Sequence, residues 1–338
     1  MEERSLRVAV IGGGTGIYAV LTGLRQYTGA VTAVVSMADN GGSSGRLRDE
    51  FGYLPPGDVR RCLVALASDS DPVLLRQLFE YRFDRGLGLN GHSFGNLLLT
   101  ALTDILGGTD AAIDEAGRLL GIRGRVLPVT LSDATLCARL ADGHEISGET
   151  DIDIRKVHHD SAIEEIYLEP AATAHPPAAE AIEQADLVVL GPGDLYTSVL
   201  PNLLVKGIAE AVQRTPGQVV YVCNVMTKHG ETDGFTASNF IRETQRYLGA
   251  ADALDCAVLN YHESLPRDLI ERYREQNSEP VSIDLGKCYE LVPRLAIRPL
   301  TATGSLVRHD PDRLAATLIE LVNEKEPAVE LAQVSANP

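Results

Sequence analysis

The stretch Leu6-Arg7-Val8-Ala9-Val10-Ile11-Gly12-Gly13-Gly14-Thr15-Gly16 decides the fold. Val8 to Ile11 are apolar without alternation, as in a parallel strand covered on both faces, so a strand is expected over Arg7–Gly13. The glycines then turn the chain into a helix with Ile17, Val20, Leu21 and Leu24 on one face. Strand, glycine turn and helix together form a phosphate-binding device. Small residues let backbone N–H groups approach an anion, and the helix N-terminus adds partial positive charge. A G-x-G-x-x-G starting at Gly12 fails at Ile17, but Gly14, Gly16 and Ala19 meet the G-x-G-x-x-A form. A tight βα turn that binds nothing is the alternative.

Ala30–Met37 is rich in β-branched residues and predicts strand two. Asp39 ends it, near the ~20-residue spacing at which a dinucleotide fold places an acid on ribose hydroxyls. Asn40-Gly41-Gly42-Ser43-Ser44-Gly45 follows with no regular period and is expected to be a loop. Its backbone and its Ser43 and Ser44 hydroxyls could cradle a second phosphate, and Asp39 could hold a divalent cation. A flexible polar loop with Asp39 as a cap explains the same residues.

Further loop-to-helix entries follow. Asp58 and Arg60, beside the rigid turn Pro55-Pro56-Gly57, could position a ligand carboxylate or phosphate; Asp58 as the N-cap of a helix reaching about Ala67, with Arg60 and Arg61 in its first turn, explains them nearly as well. Asp71-Pro72 opens a helix to about Tyr81. His92 and Asn96, in Gly91-His92-Ser93-Phe94-Gly95-Asn96, precede the helix Leu97–Leu106; His92 reads as a general base, a phosphate donor or a capping residue. Thr109–Leu120 is a further helix. Leu136–Glu149 alternates around Asp142-Gly143, a hairpin signal, and Ala162–Leu168 is a strand, so about 125–170 reads as a small antiparallel insert.

Alternation of strand and helix then resumes. Strand Leu187–Leu190 runs into Gly191-Pro192-Gly193-Asp194 and a helix Ser198–Val212, where Thr197 and Ser198 can donate to a phosphate and Asn202 lies one turn on. Strand Val219–Cys223 leads to Asn224 and Thr227; helix Ser238–Leu248 and strand Cys256–Asn260 come next. Pro266–Gln276, Val281–Leu285 and Asp310–Asn323 complete the elements, and Arg308 precedes the last as a phosphate clamp or a surface charge. The pattern predicts an α/β fold: a Rossmann-like, three-layer, doubly wound, mostly parallel sheet with a small antiparallel insert. Ligands bind such sheets at the carboxyl ends of the strands. One domain is expected over 1–325, followed by a flexible C-terminal tail, 326–338.

A formal net charge of -17 argues against nucleic acid or anionic membrane as a partner. Any phosphate site must therefore be made locally, from N–H groups and a few arginines. The odd, scattered set of cysteines (Cys62, Cys137, Cys223, Cys256, Cys288) reads as core thiols of a reducing compartment. Without an N-terminal signal or an apolar run near ~20 residues, a cytoplasmic location is expected. There is no GxxxxGK[ST] and no G-x-S-x-G, and His158-His159 lack metal spacing.

Taken together, GGGTG, ADNGGSSGRLR, PPGDVRRCLVALA, GHSFGNLLL, GPGDLYTSVLPNLLV, YVCNVMTKHGET and a late RHDP resemble the YvcK-type gluconeogenesis factors, over about residues 6–323. Their family also contains the CofD-type 2-phospho-L-lactate transferases. The resemblance implies a Rossmann-like fold, often dimeric, that binds UDP-activated sugars, notably UDP-N-acetylglucosamine. It also implies a part in gluconeogenic growth, cell shape and peptidoglycan precursor supply, with no cofactor required and a regulatory protein partner. The transferase branch implies magnesium and phospholactyl transfer to a deazaflavin alcohol. Carried onto this chain, the resemblance marks Gly13, Gly14, Thr15 and Gly16, Asp39 as a ligand or metal residue, Gly191, Gly193 and Asn224. Two departures stand out: Asn40 replaces a second acid, and Asp194 stands where the family often has Ser.

Overall fold

The computed structural model describes residues 5–68, 73–155, 161–261, 265–302, 304 and 306–324. The Asp71-Pro72 helix start, His158-His159 and the expected tail lie outside the described residues.

The strands in chain order are β1 (Val8–Gly12), β2 (Val31–Val35), β3 (Arg125–Pro128), β4 (Thr135–Leu140), β5 (Glu145–Ser147), β6 (Ile163–Glu169), β7 (Leu187–Leu190), β8 (Gln218–Val222), β9 (Cys256–Asn260) and β10 (Arg294–Arg298). Seven of them form one sheet in the order β10-β9-β8-β7-β1-β2-β3. Every pairing in it is parallel. All residues of β1, β7 and β9 are buried, as unbroken apolar runs require when helices cover both faces. Burying each Val, Leu or Ile there contributes ~1.5–3 kcal/mol over leaving it exposed. Strand order reverses between β1 and β7, so the turns after these two strands open into the crevice where doubly wound sheets bind ligands.

The helices are α1 (Gly14–Leu24), α2 (Gly42–Phe51), α3 (Gly57–Leu66), α4 (Val73–Glu80), α5 (Phe94–Leu106), α6 (Thr109–Leu119), α7 (Glu149–Ile154), α8 (Pro176–Glu183), α9 (Leu200–Leu203), α10 (Ile208–Arg214), α11 (Ala237–Leu248), α12 (Arg267–Arg274), α13 (Leu285–Leu291) and α14 (Pro311–Asn323). A π-helical turn, Leu195–Val199, precedes α9. α1 packs against α3 and α14, fixing the glycine turn at its N-terminus from both sides. All five cysteines are buried and unpaired, the core thiols expected of them.

Several expectations are corrected. Asn40–Gly45 is not a loop throughout: α2 starts at Gly42, buries Ser43, Ser44, Gly45 and Leu47, and ends at Gly52 in a left-handed cap. Three glycines in six residues hide a helix that packing dictates. Residues 125–128 belong to the edge of the main sheet; the antiparallel unit is β5-β4-β6, with α7 inserted before β6. The helix expected over Ser198–Val212 breaks at Val205-Lys206-Gly207, where Gly207 takes φ 103° and Lys206 bridges to Thr173. Around Val281–Leu285 the chain makes only isolated bridges, Met226 to Pro280 and Thr236 to Ser282, before α13. Strand β10, Arg-flanked and only partly buried, escaped the reading because just Leu295, Ala296 and Ile297 are apolar.

Candidate functional site

The turns after β1 and β7 meet backbone to backbone. A Cβ on Gly16 would strike the Pro192 carbonyl, and one on Gly12 would sit 2.5 Å from the Ile17 side chain. Gly14 takes φ 66°, so its glycine serves conformation while Gly16 serves close approach. Around this junction opens a cavity of about 1310 Å³. It is larger than the ~300–1,000 Å³ typical of small-molecule sites and suits an extended ligand.

Of the expected residues, Gly13, Gly14, Gly16, Asp39, Gly41, Asp58, Gly193, Asn224, Thr227 and Arg308 line this cavity. The side chain of Thr15 lies outside the described residues. The others stand behind the wall. Ser43 Oγ lies 3.1 Å from His92 Nδ1, and Asn96 Nδ2 donates to Ser43 Oγ at 3.2 Å. Arg60 Nε donates to Asn96 Oδ1 at 3.0 Å, completing a buried lattice that ties α2, α3 and α5 together. Burial holds the His92 imidazole below its ordinary range, helped by Arg46. His92 is a buried partner of Ser43 behind the wall and does not line the cavity; Ser93 supplies the cap, accepting from Asn96 N. Asn40 also faces away: its Oδ1 accepts from Thr150 N at 2.8 Å and ties the start of α7 to the β2 loop. Gly191 holds φ 73° behind the junction, and the wholly buried Asn202 donates to the Ser198 and Val199 carbonyls, bracing the π-helical turn.

Two carboxylates occupy the turns themselves. Asp58 is not the N-cap of α3; Pro56 holds that position, and the Asp58 carboxyl accepts a backbone hydrogen bond from Gly14. Burial and the neighbouring Asp39 push Asp58 up to about 6, with Arg61, 3.5 Å away, opposing. At the second turn, Glu231 accepts from Tyr196 N at 3.0 Å and from Thr197 Oγ1 at 3.0 Å. The Thr197 hydroxyl is therefore committed to Glu231 and is no free phosphate donor, while Ser198 still lines the cavity.

The insert supplies residues the sequence reading missed. Glu149 and Asp153, four apart on α7, both line the cavity. Burial, then Asp39 and Asp58, push Glu149 up to about 7. Lys228 pairs with Asp153, with Asp194 at 2.6 Å and with Glu231 at 3.3 Å. Those three acids could hold a metal ion by spacing, but the ammonium already sits among them. The acidic run Glu149-Thr150-Asp151-Ile152-Asp153 was the available signal, overlooked because it follows a hairpin rather than a sheet strand.

The family model for 2-phospho-L-lactate transferase CofD matches residues 8–300. The chain belongs to the CofD family. Its relatives within this family include a putative gluconeogenesis factor of Nostoc, 46% identical over 94% of this chain and 69% of that protein. The gluconeogenesis factor of Bacillus subtilis is 38% identical over 94% of this chain and 98% of its own length. A crystal structure of a Bacillus halodurans protein shares the fold with a TM-score of 0.88, at 39% identity over 95% of this chain and 100% of that one. As a CofD-family member the protein has the fold expected from its motifs, and no described helix is long and apolar enough to cross a membrane.

Proposed function

We propose that the protein is a cytoplasmic nucleotide-sugar sensor supporting gluconeogenic growth, cell shape and peptidoglycan precursor supply, with a ligand of the UDP-N-acetylglucosamine type. The observation that carries this reading is the cavity of about 1310 Å³ at the β1/β7 switch point, where the backbone of Gly13–Gly16 faces Gly193. Backbone N–H groups of the first turn suit a diphosphate once it replaces the Asp58 carboxyl on Gly14, and Arg61 and Arg308 on the wall add positive charge. Relatives named gluconeogenesis factor support the metabolic role. Sensing works through the insert: Asn40 ties α7 to the β2 loop, and Lys228 ties Asp153 to Asp194 at the β7 turn, so a ligand there changes the surface shown to a regulatory partner or to a second copy in a homodimer. Calorimetric titration with UDP-N-acetylglucosamine tests the reading. A saturable isotherm supports it; no heat at millimolar ligand, with folded protein, refutes it.

A second reading has an observation of its own. Asp39, Asp58 and Glu149 share one wall, and burial, then their mutual repulsion, makes Asp58 and Glu149 hold their protons to about 6 and about 7. A divalent cation would relieve that repulsion, and oxygen donors suit magnesium. The residues thus fit the ion implied by a CofD-like transferase: Asp39 and Asp58 would hold it, and it would neutralise phosphate charge during phospholactyl transfer to a deazaflavin alcohol. Turnover by wild type with magnesium, lost in Asp39→Asn, would establish this reading; absence of turnover sinks it.

A further inference from the structure

His309 and Asn224 form a feature that neither reading uses. β8 ends at Val222, and Cys223 and Asn224 carry the chain onto the cavity wall. His309 arrives from the far side, on the segment that bridges back to Thr301 just before α14. It lines the same cavity while only 8% exposed. Its ring makes a backbone hydrogen bond at Cys223. The Cys223 N–H already donates to the Val258 carbonyl, so the ring N–H donates to the Cys223 carbonyl. Nε2 has no partner, which places that donor on Nδ1 and leaves Nε2 a bare acceptor. Burial pushes the imidazole down to about 4, so it stays neutral at physiological pH. On the adjoining residue, Asn224 Oδ1 is likewise buried without a partner.

Three polar side chains that line the same cavity are committed elsewhere. Thr227 Oγ1 accepts from Glu279 N, Ser278 Oγ donates to the Thr227 carbonyl, and Tyr273 Oη accepts from Val307 N. Two buried acceptors without donors cost free energy until something donates to them. Phosphates and carboxylates only accept, so neither satisfies this pair. Hydroxyl and amide N–H groups do. The pair stands two strands, ~10 Å, from the β1 turn, the reach from a diphosphate to an adjoining sugar.

We propose that His309 Nε2 and Asn224 Oδ1 form an acceptor subsite for the uncharged, donor-bearing part of a phosphorylated ligand, its sugar hydroxyls or base N–H groups. This rests on the nucleotide-sugar reading and specifies which wall of the cavity takes which part of the ligand. The pair selects against ligands that present only anionic groups to this wall.

The test compares UDP-N-acetylglucosamine, UDP and inorganic pyrophosphate on wild type, His309→Phe and His309→Gln by calorimetry. His309→Phe removes the acceptor and is expected to weaken UDP-N-acetylglucosamine about tenfold. His309→Gln keeps an acceptor and stays within about threefold. Pyrophosphate binding is unchanged in both, which shows an intact fold. If UDP weakens in parallel, the donors are on the nucleoside; if UDP is unaffected, they are on the hexose. Either result supports the subsite. His309→Phe binding every probe as wild type does, or losing pyrophosphate equally, overturns the subsite and leaves a water-filled or purely structural histidine. Wild type binding neither nucleotide overturns the function as well.

Discussion

The two glycine turns at the switch point look equivalent in sequence and differ in what holds their N–H groups. After β1, Gly14 donates to Asp58, a carboxyl that faces the cavity, carries a raised pKa of about 6 and has Arg61 as its counter-charge. After β7, Tyr196 donates to Glu231, whose side chain is fully buried and which also holds Thr197 and Lys228. The first internal anion is poorly satisfied, and under the proposed function a ligand phosphate would displace it. The second is fully bonded and serves as part of the frame. On the proposed nucleotide-sugar reading, the first turn is the binding edge and the second is the rigid wall beside it.

The largest expected effect comes from breaking the contact between the turns. Gly16→Ala drives a methyl into the Pro192 carbonyl, backbone against backbone, and is expected to cost about 2–4 kcal/mol in denaturant unfolding and to abolish ligand binding. Wild-type stability in this variant would mean that the turns are not locked together.

Glu231→Gln comes next. The amide keeps the size but faces the Tyr196 N–H or the Thr197 hydroxyl with a donor, and it leaves Lys228 one carboxylate short. A loss of about 2–3 kcal/mol is expected by urea unfolding. A change below ~0.5 kcal/mol would place Glu231 outside the frame.

Asp58→Asn is expected to act in the opposite direction. The native carboxyl, at about 6, holds its proton more tightly than an unfolded aspartate at ~3.9. Ionisation therefore costs stability as pH rises between these values, and the cost is complete above about 6. Asparagine keeps an acceptor for Gly14 without the charge. Thermal melts are expected to show Asp58→Asn more stable than wild type at pH 7.5, by about 1–2 kcal/mol, and indistinguishable near pH 4. Equal stability at both pH values would show that Asp58 is not a strained internal anion.

The same comparison shows what sequence alone can give. β1, its glycine turn and the order of motifs carry the sheet, because uninterrupted apolar runs and glycines have local physical causes. The GPG loop is legible for the same reason. The occupants of the turns are not. Asp58 reads equally as a ligand-positioning residue and a helix cap from its position after Pro56-Gly57, and only the packing of α3 on α1 turns it toward Gly14. Ser43, Ser44, His92 and Asn96 have ligand-like chemistry, but they satisfy one another behind the wall. Glu149 and Asp153 reach the cavity because α7 of the insert lies against it, a long-range placement at which the acidic run alone only hints, and Lys228 meets Asp153 there from the loop after β8.

The central claim is that the β1 turn, not the β7 turn, yields its N–H groups to the ligand. Selective 15N labelling of glycine and tyrosine allows Gly14, Gly16 and Tyr196 amides to be followed by NMR during titration with UDP-N-acetylglucosamine. Large downfield proton shifts at Gly14 and Gly16, with Tyr196 unmoved on Glu231, are the predicted result. A shift at Tyr196 with Gly14 unchanged would contradict it.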